Sequence, residues 1–245
     1  MDRAIYTALS AANAALNRQA VTSNNMANSA TAGFRAQLAA FRAVPVEGQT
    51  LKTRALVAES TPYNDDTMGP ITHTGRSLDV ALPQNGWLAV ALPDGSEGYT
   101  RNGGIEIDRD GALQVGGKPL MGDGAPLVVP PHSQITIAED GTVSALGAGD
   151  EPTAVVPVGR LKMVNAPMST LLHGDDGLFR PAAGNALPQD DAMRLSPESL
   201  EGSNVSPVKA MTEMIATARS FEMNMKVIRT ADENAQKANQ LLSVG

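Results

Sequence analysis

Both ends of the chain carry a 3.5-residue apolar repeat and the stretch between them carries none, a contrast that limits the possible folds more than any other feature. From the start, Ile5, Leu9, Ala12, Leu16, Gln19, Ser23, Met26 and Ala30 recur in alternating steps of four and three. Toward the other end Met211, Met214, Ala218, Phe221, Met225, Ile228, Asp232, Ala235, Asn239 and Leu242 recur in steps of three and four. Such a period, held over about four heptads, is that of a coiled-coil seam. Neither run has an interior Gly or Pro, and Pro207 stands where a first-turn proline is tolerated. Fully helical, 208–242 would reach about 50 Å at 1.5 Å per residue.

An amphipathic helix packed on its own domain would show a similar stripe. Two features favour an assembly instead. Ala, Gln, Ser and Asn occupy seam positions where Leu or Ile would sustain an isolated coiled coil. The opposite face is poor in charge, with Arg18 alone between Ile5 and Ala30, and helices that are neutral nearly all round need neighbours on several sides.

Between the ends the texture is that of strands. Runs at Trp87–Leu92, Ile105–Ile107, Leu113–Val115, Leu127–Val129, Ile135–Ile137, Thr142–Ala145 and Val155–Val164 are separated by Asn85-Gly86, Asp94-Gly95, Asn102-Gly103, Asp110-Gly111, Gly116-Gly117 and Asp140-Gly141. Asn-Gly and Asp-Gly supply the positive φ angles of tight hairpin turns, so the middle is expected to be antiparallel and all-β. Residues 33–75, with Pro45, Pro62, Gly69 and Pro70, read as an extended connector or long hairpin. Residues 181–200 read as a second, proline-broken connector. The expected fold is α+β: an N-terminal helix in 1–32, the connector 33–75, a β-rich domain 76–200, and a C-terminal helix in 201–245 that packs with 1–32.

Charge follows the same division. Residues 1–42 hold one acidic and four basic side chains and 207–245 hold five basic and four acidic; the chain as a whole is −7, so the acidic excess lies in the middle. That charge and only 3% aromatic residues argue against a phosphate-backbone or base-stacking partner. The absence of cysteine excludes disulfides, iron–sulfur clusters and thiolate catalysis. No run approaches the 18 apolar residues of a membrane span, and Asp2, Asn13, Asn17 and Arg18 interrupt what a cleavable signal would keep apolar.

No catalytic constellation emerges. His73, His132 and His173 lie far apart without metal-ligand spacing. Gly111 to Lys118 misses a phosphate loop, because the lysine is one place late and Pro119 follows it. Asp108 and Asp110 open like a calcium loop, but Gly111 comes two positions early and no Glu closes the loop. Asp65-Asp66, Asp175-Asp176 and Asp190-Asp191 are neighbours on loops, which point apart into solvent. The expectation is a non-enzyme with no catalytic, metal or cofactor site and no cofactor.

Four segments stand out. Val21–Arg35, VTSNNMANSATAGFR, runs a helix into an Asn-rich end, a Gly and an aromatic, the residue types that accept left-handed backbone and end helices. Leu78–Leu113 contains Gly86-Trp87-Leu88 and then Tyr99-Thr100-Arg101 with Gly103; the third is Leu200-Glu201-Gly202-Ser203-Asn204-Val205, and the fourth is Arg219-Ser220-Phe221-Glu222-Met223-Asn224-Met225-Lys226. Together, in this order, they resemble the signatures of the flagellar rod and hook protein family. Ala32 stands where that family usually has Pro, Gly86-Trp87-Leu88 replaces an aromatic pair, and Pro207 is a departure at the last helix.

The resemblance implies a structural subunit of the bacterial flagellar basal-body rod, since hook proteins are much longer. Phe34–Leu38 and Arg42–Gly48 point to the proximal rod, with a distal rod subunit as the alternative. It also implies helical polymerisation with other flagellar rod proteins and copies of itself, and export by the flagellar export apparatus without a cleaved signal. The expected place is the periplasm-spanning rod of the basal body, with no nucleic acid and no membrane insertion. A reading from another class is a β-rich surface- or carbohydrate-binding module dimerising through its helices, with only Trp87, Tyr63 and Tyr99 as platforms. The residues expected to serve assembly are Ile5, Leu9, Leu16, Asn24, Asn25, Asn28, Gly33, Phe34, Leu200, Glu201, Asn204, Met214, Phe221, Met225 and Ile228.

Overall fold

The computed structural model describes residues 2–45, 55–131, 133–147, 155–174 and 176–243. Val46, Glu47, Gly48, His132 and Asp175, which figure in the sequence reading, lie outside the described residues, as does the side chain of Leu242. The chain forms two compact units. A helical unit gathers 1–29, 36–65 and 205–245; a β unit gathers 30–35 and 66–204.

In the helical unit, α1 (Asp2–Ala27) and α2 (Pro207–Ser243) are joined by a hairpin of β1 (Gln37–Pro45) and β2 (Ala55–Asn64). The C-terminal helix starts at Pro207, whose missing N–H is not needed in a first turn, and the Ser206 hydroxyl caps it by accepting the Lys209 N–H at 3.5 Å. β1 and β2 pair from Gln37↔Asn64 to Pro45↔Ala55, with a register slip between Leu38 and Ala40. The expected connector 33–75 therefore divides: 36–65 belong with the helices, and 33–35 and 66–75 with the β unit.

The hairpin is tied to α1 by side chains that imitate a neighbouring strand. The Asn25 amide donates to the Gln37 carbonyl and accepts the Gln37 N–H, both at 2.8 Å. The Ser10 hydroxyl donates to the Val57 carbonyl at 2.9 Å and accepts the Val57 N–H at 3.0 Å. Arg18 lies 5.2 Å over the Phe41 ring.

The β unit is built from short strands: β3 (Ile71–His73), β4 (Val80–Ala81), β5 (Gly86–Ala91), β6 (Glu97–Thr100), β7 (Glu106–Ile107), β8 (Leu113–Val115) and β9 (Lys118–Pro119). There follow β10 (Gln134–Ile137), β11 (Thr142–Leu146), β12 (Val156–Arg160), β13 (Met163–Asn165), β14 (Leu171–His173), β15 (Phe179–Pro181), β16 (Ser196–Pro197) and β17 (Ser199–Glu201). The main sheet has the order β13-β5-β6-β15-β14; β10-β11-β12 and β7-β8-β9 form three-stranded sheets, and β16-β4 and β17-β3 are pairs. The strand pairings among the described residues are antiparallel.

β5 is covered on both faces, so its sequence is a continuous apolar run and not an alternating one. Leu88 and Val90 face one core with Ile105, Leu113, Leu120 and Val143, while Trp87 and Ala89 face another with Tyr99, Val164 and Phe179. Trp87 packs with its ring tilted against that of Phe179, centroids 4.7 Å apart, and donates its indole N–H to the Ala166 carbonyl at 2.9 Å. The Tyr99 hydroxyl donates to Glu97, itself paired with Lys162 at 2.6 Å; burial, with the Glu97 carboxylate beside it, pushes the phenol well above its usual pKa.

Several sequence expectations shift. Val155–Val164 is two strands in two sheets, because the chain turns at Leu161 and Lys162, whose N–H groups donate to Gly141 and Met121. Leu127–Val129 forms no named strand, and Val128 makes an isolated bridge to Ala112. Asp94-Gly95, Asp110-Gly111, Gly116-Gly117 and Asp140-Gly141 turn hairpins with positive φ, whereas Asn85-Gly86 and Asn102-Gly103 do not. At Gly103 the constraint is space: a Cβ would stand 1.6 Å from the Val80 carbonyl oxygen. Trp87 is the single tryptophan and reports on this unit alone. Followed by its fluorescence, denaturant unfolding of Leu88→Ala should show a loss of about 3 kcal/mol, the cost of a cavity at a fully buried leucine.

Candidate assembly site

Within the helical unit, α1 and α2 meet along small residues. Ala8, Ala12, Ala15 and Thr22 are buried on α1, with Ile5, Gln19 and Met26 half-buried; α2 buries Ala210 and Thr217 and half-buries Met214, Phe221, Met225 and Ile228. Ser23 touches the Met214 sulfur at 3.7 Å, and Ala11 shares a groove with Asn224, so the helices run antiparallel. Alanines let two helix axes approach closely, which leucines in the same rows would prevent.

The seam therefore differs from the one read in the sequence. Leu9, Leu16, Met211, Ala218, Asp232 and Asn239 face outward, and the contact rows lie one position away at Ala8, Ala15, Ala210 and Thr217. The displaced leucines belong to a second stripe. On α1 it runs Tyr6, Leu9, Asn13, Leu16, Ala20; on α2 it includes Val208, Met211, Ile215, Met223 and Val227. Its large apolar members are exposed by between 45% at Leu9 and 75% at Val208. Each helix thus has one seam facing its partner in the chain and another facing out. Tyr6, Leu9, Phe41, Leu56 and Val57 line a groove of about 300 Å³ between α1 and the hairpin. Asn24 and Asn28 close the end of α1, where the Asn24 carbonyl accepts the Asn28 N–H at 3.1 Å and its side-chain amide at 3.0 Å.

The β unit gathers the other expected residues at a buried charged node. Glu201 is wholly buried at the end of β17. Its Oε1 is ion-paired with Arg35 at 2.9 Å and accepts the Gly69 N–H at 3.0 Å; its Oε2 accepts Arg101 Nε at 3.0 Å and Nη2 at 2.6 Å. Arg101 Nη1 also donates to the carbonyls of Pro83, Gln84 and Gly86, and its Nη2 to Leu82, while Arg35 Nη1 donates to the Thr67 carbonyl. One carboxylate between two guanidiniums leaves a unit of positive charge out of water, and these five carbonyl dipoles take the place of solvent around it.

Main chains close on the node from several directions. Gly33, at φ 67°, donates its N–H to the Glu201 carbonyl at 2.8 Å, and the Asn204 N–H donates to the Phe34 carbonyl at 3.3 Å. The Asn204 side-chain amide donates to the Thr67 carbonyl at 2.9 Å. Leu200, half-buried, pairs with Thr72 in the neighbouring strand. So Gly33, Phe34, Leu200, Glu201 and Asn204 come together, while Asn24, Asn25 and Asn28 belong to the helical unit. Arg35 and Arg101 are missing from the residues expected to act; the available signal was a charged residue at the end of Gly-Phe-Arg and Tyr-Thr-Arg, inside otherwise apolar or glycine-rich stretches. A Cβ on Gly33 would lie 2.4 Å from the Arg101 carbonyl carbon, in a backbone region that alanine adopts only with strain. Gly33→Ala should lower the stability of the β unit by about 2–4 kcal/mol, read as a shift in the Trp87 unfolding midpoint.

Among the described residues no helix is long and apolar enough to cross a membrane. Comparison with known proteins places the chain. Residues 5–35 match the family described as flagella basal body rod protein, 81–145 the flagellar hook protein FlgE/F/G D1 domain, and 196–241 the flagellar basal body rod FlgEFG protein C-terminal region. The flagellar basal-body rod proteins FlgF of Salmonella typhimurium and of Escherichia coli K12 are each 56% identical to it over 250 residues, covering 100% of both chains. The flagellar basal-body rod protein FlgG of Agrobacterium fabrum is 33% identical over 259 residues, covering 95% of this chain and 97% of its own. With its terminal helices, its antiparallel β unit and full-length identity of this order, the chain belongs to the flagellar basal-body rod protein family.

Proposed function

We propose that this rod subunit occupies the proximal part of the rod and polymerises, with copies of itself and with other rod proteins, through the outward stripes of α1 and α2. The observation that carries the reading is the second apolar stripe: Tyr6, Leu9 and Leu16 on one helix and Val208, Met211, Ile215, Met223 and Val227 on the other are exposed although the two helices already pair. Burial of such side chains against neighbours contributes roughly 25 cal/mol per Å² before ordering costs. A contact between different surfaces whose rotation does not close gives a filament, as a drive shaft requires. The proximal position is supported by the 56% full-length identity to the FlgF proteins of Salmonella typhimurium and Escherichia coli K12, against 33% to the FlgG of Agrobacterium fabrum. In this reading the chain is not an enzyme, and it reaches the periplasm-spanning rod through the flagellar export apparatus without a cleaved signal. Helices with so small-residue a seam are expected to be weakly ordered until neighbours cover them, which keeps the free chain from polymerising early.

Copurification tests this directly. The native chain should be found in detergent-extracted hook–basal bodies at a few copies per particle, counted by mass spectrometry. Absence from the particles would overturn the reading, and tens of copies would move the subunit to the distal rod. A double variant, Leu9→Glu with Leu16→Glu, should leave the Trp87 unfolding midpoint unchanged yet vanish from the particles. In the free chain, amide exchange should be rapid in 2–27 and 208–243 and slow through the β unit; equal protection from end to end would contradict the coupling of helix order to assembly.

A further inference from the structure

The charged node sits where the chain leaves the β unit toward both terminal helices. Residues 30–35 follow the end of α1, and Asn204 precedes the first residue of α2 by three positions. Inside the β unit these two roots are joined by main chain, through Gly33 N–H to the Glu201 carbonyl at 2.8 Å and Asn204 N–H to the Phe34 carbonyl at 3.3 Å. They are joined again by charge, through Arg35 and Glu201 at 2.9 Å. Arg101 then fixes Glu201 to the segment 82–86, so the junction is anchored to the core strands.

We propose that the Arg35–Glu201–Arg101 node is a latch joining the roots of the terminal helices, so that the α1–α2 pair closes efficiently only in a chain whose β unit has closed on Glu201. With the latch shut, about ten residues of chain link the end of α1 to the start of α2 through the Phe34–Asn204 contact. With it open and the β core intact, the link runs through 28–36, across the paired base of the hairpin at Gln37 and Asn64, and through 65–70 and 202–206, about twenty residues, and the 3/2-power dependence of loop closure on length makes helix pairing about threefold less favourable. A seam of alanine, threonine and glutamine is weak enough for a threefold change to shift whether the pair forms. The latch concerns how the free chain folds and stands whether or not the subunit is proximal.

The absence of cysteine supplies the test. Ser23→Cys with Met214→Cys places two thiols where side chains now touch at 3.7 Å, and the rate of intramolecular disulfide closure in the dilute full-length protein reads the effective concentration of one helix at the other. Adding Glu201→Gln leaves two guanidiniums without their carboxylate. Exchange at Gly33, Gly69 and Asn204 is expected to rise about 100-fold while Leu88, Val90 and Val143 stay protected, and disulfide closure is expected to slow about threefold. Unchanged closure with the node amides exchanging freely would overturn the latch. If Glu201→Gln also exposes Leu88 and Val90, Arg35→Met decides, because it breaks the charged link between the two roots and leaves Glu201 paired with Arg101. A slowing of about twofold or more then supports the latch, and an unchanged rate overturns it.

Discussion

The carboxylate of Glu201, closed off from water between Arg35 and Arg101, is the contact on which the β unit's architecture depends. It draws together three parts of the chain, Glu201 lying 100 residues beyond Arg101, and two of them are the passages that lead to the terminal helices. A buried ion pair adds little net stability compared with apolar side chains of the same volume, because desolvation offsets the attraction. Removing one partner is another matter: it strands charge in the interior at a cost of about 3–5 kcal/mol. The node is therefore strongly selective for one arrangement of the chain, and the close approaches of Gly33 and Gly103 serve the same arrangement by letting main chains pass where a side chain would clash.

The helical unit follows the opposite logic. Its internal contact is made of alanine, threonine and half-buried methionine, which brings the helices close but buries little apolar area per turn. The larger apolar side chains are placed outside, with scarcely a charge on α1 to solvate that face. A self-sufficient hairpin of helices would reverse the allocation, with leucines in the seam and charges outside. The β unit is specified from within, and the helical unit leaves part of its specification to its surroundings.

Much of this was legible in the sequence. The heptad runs gave two helices, and three Asp-Gly pairs with Gly116-Gly117 marked four hairpin turns, because both signals are local. The choice of seam was not legible: Leu9 and Leu16 satisfy the same 3.5-residue period as Ala8 and Ala15, and periodicity alone cannot say which of two adjacent stripes faces the partner in the chain and which faces out. Asn102-Gly103 has the composition of a hairpin turn but serves a close approach to Val80, a long-range constraint that local composition does not encode. The node itself depends on Arg35, Arg101 and Glu201 meeting in space, and their separation in sequence carries no trace of that. Resemblance to the family brought Glu201 and Gly33 to notice, while the two arginines stood in quoted motifs without a role.

The outward stripe of α1 is proposed as an interface between rod subunits. The most direct measurement replaces Leu16 with a photo-crosslinking residue, irradiates assembled hook–basal bodies, and identifies the adducts by mass spectrometry. The account predicts crosslinks from this position to the terminal helices of another rod subunit, a second copy or a different rod protein. Particles that contain the chain but give no intersubunit adduct from Leu16 would contradict it.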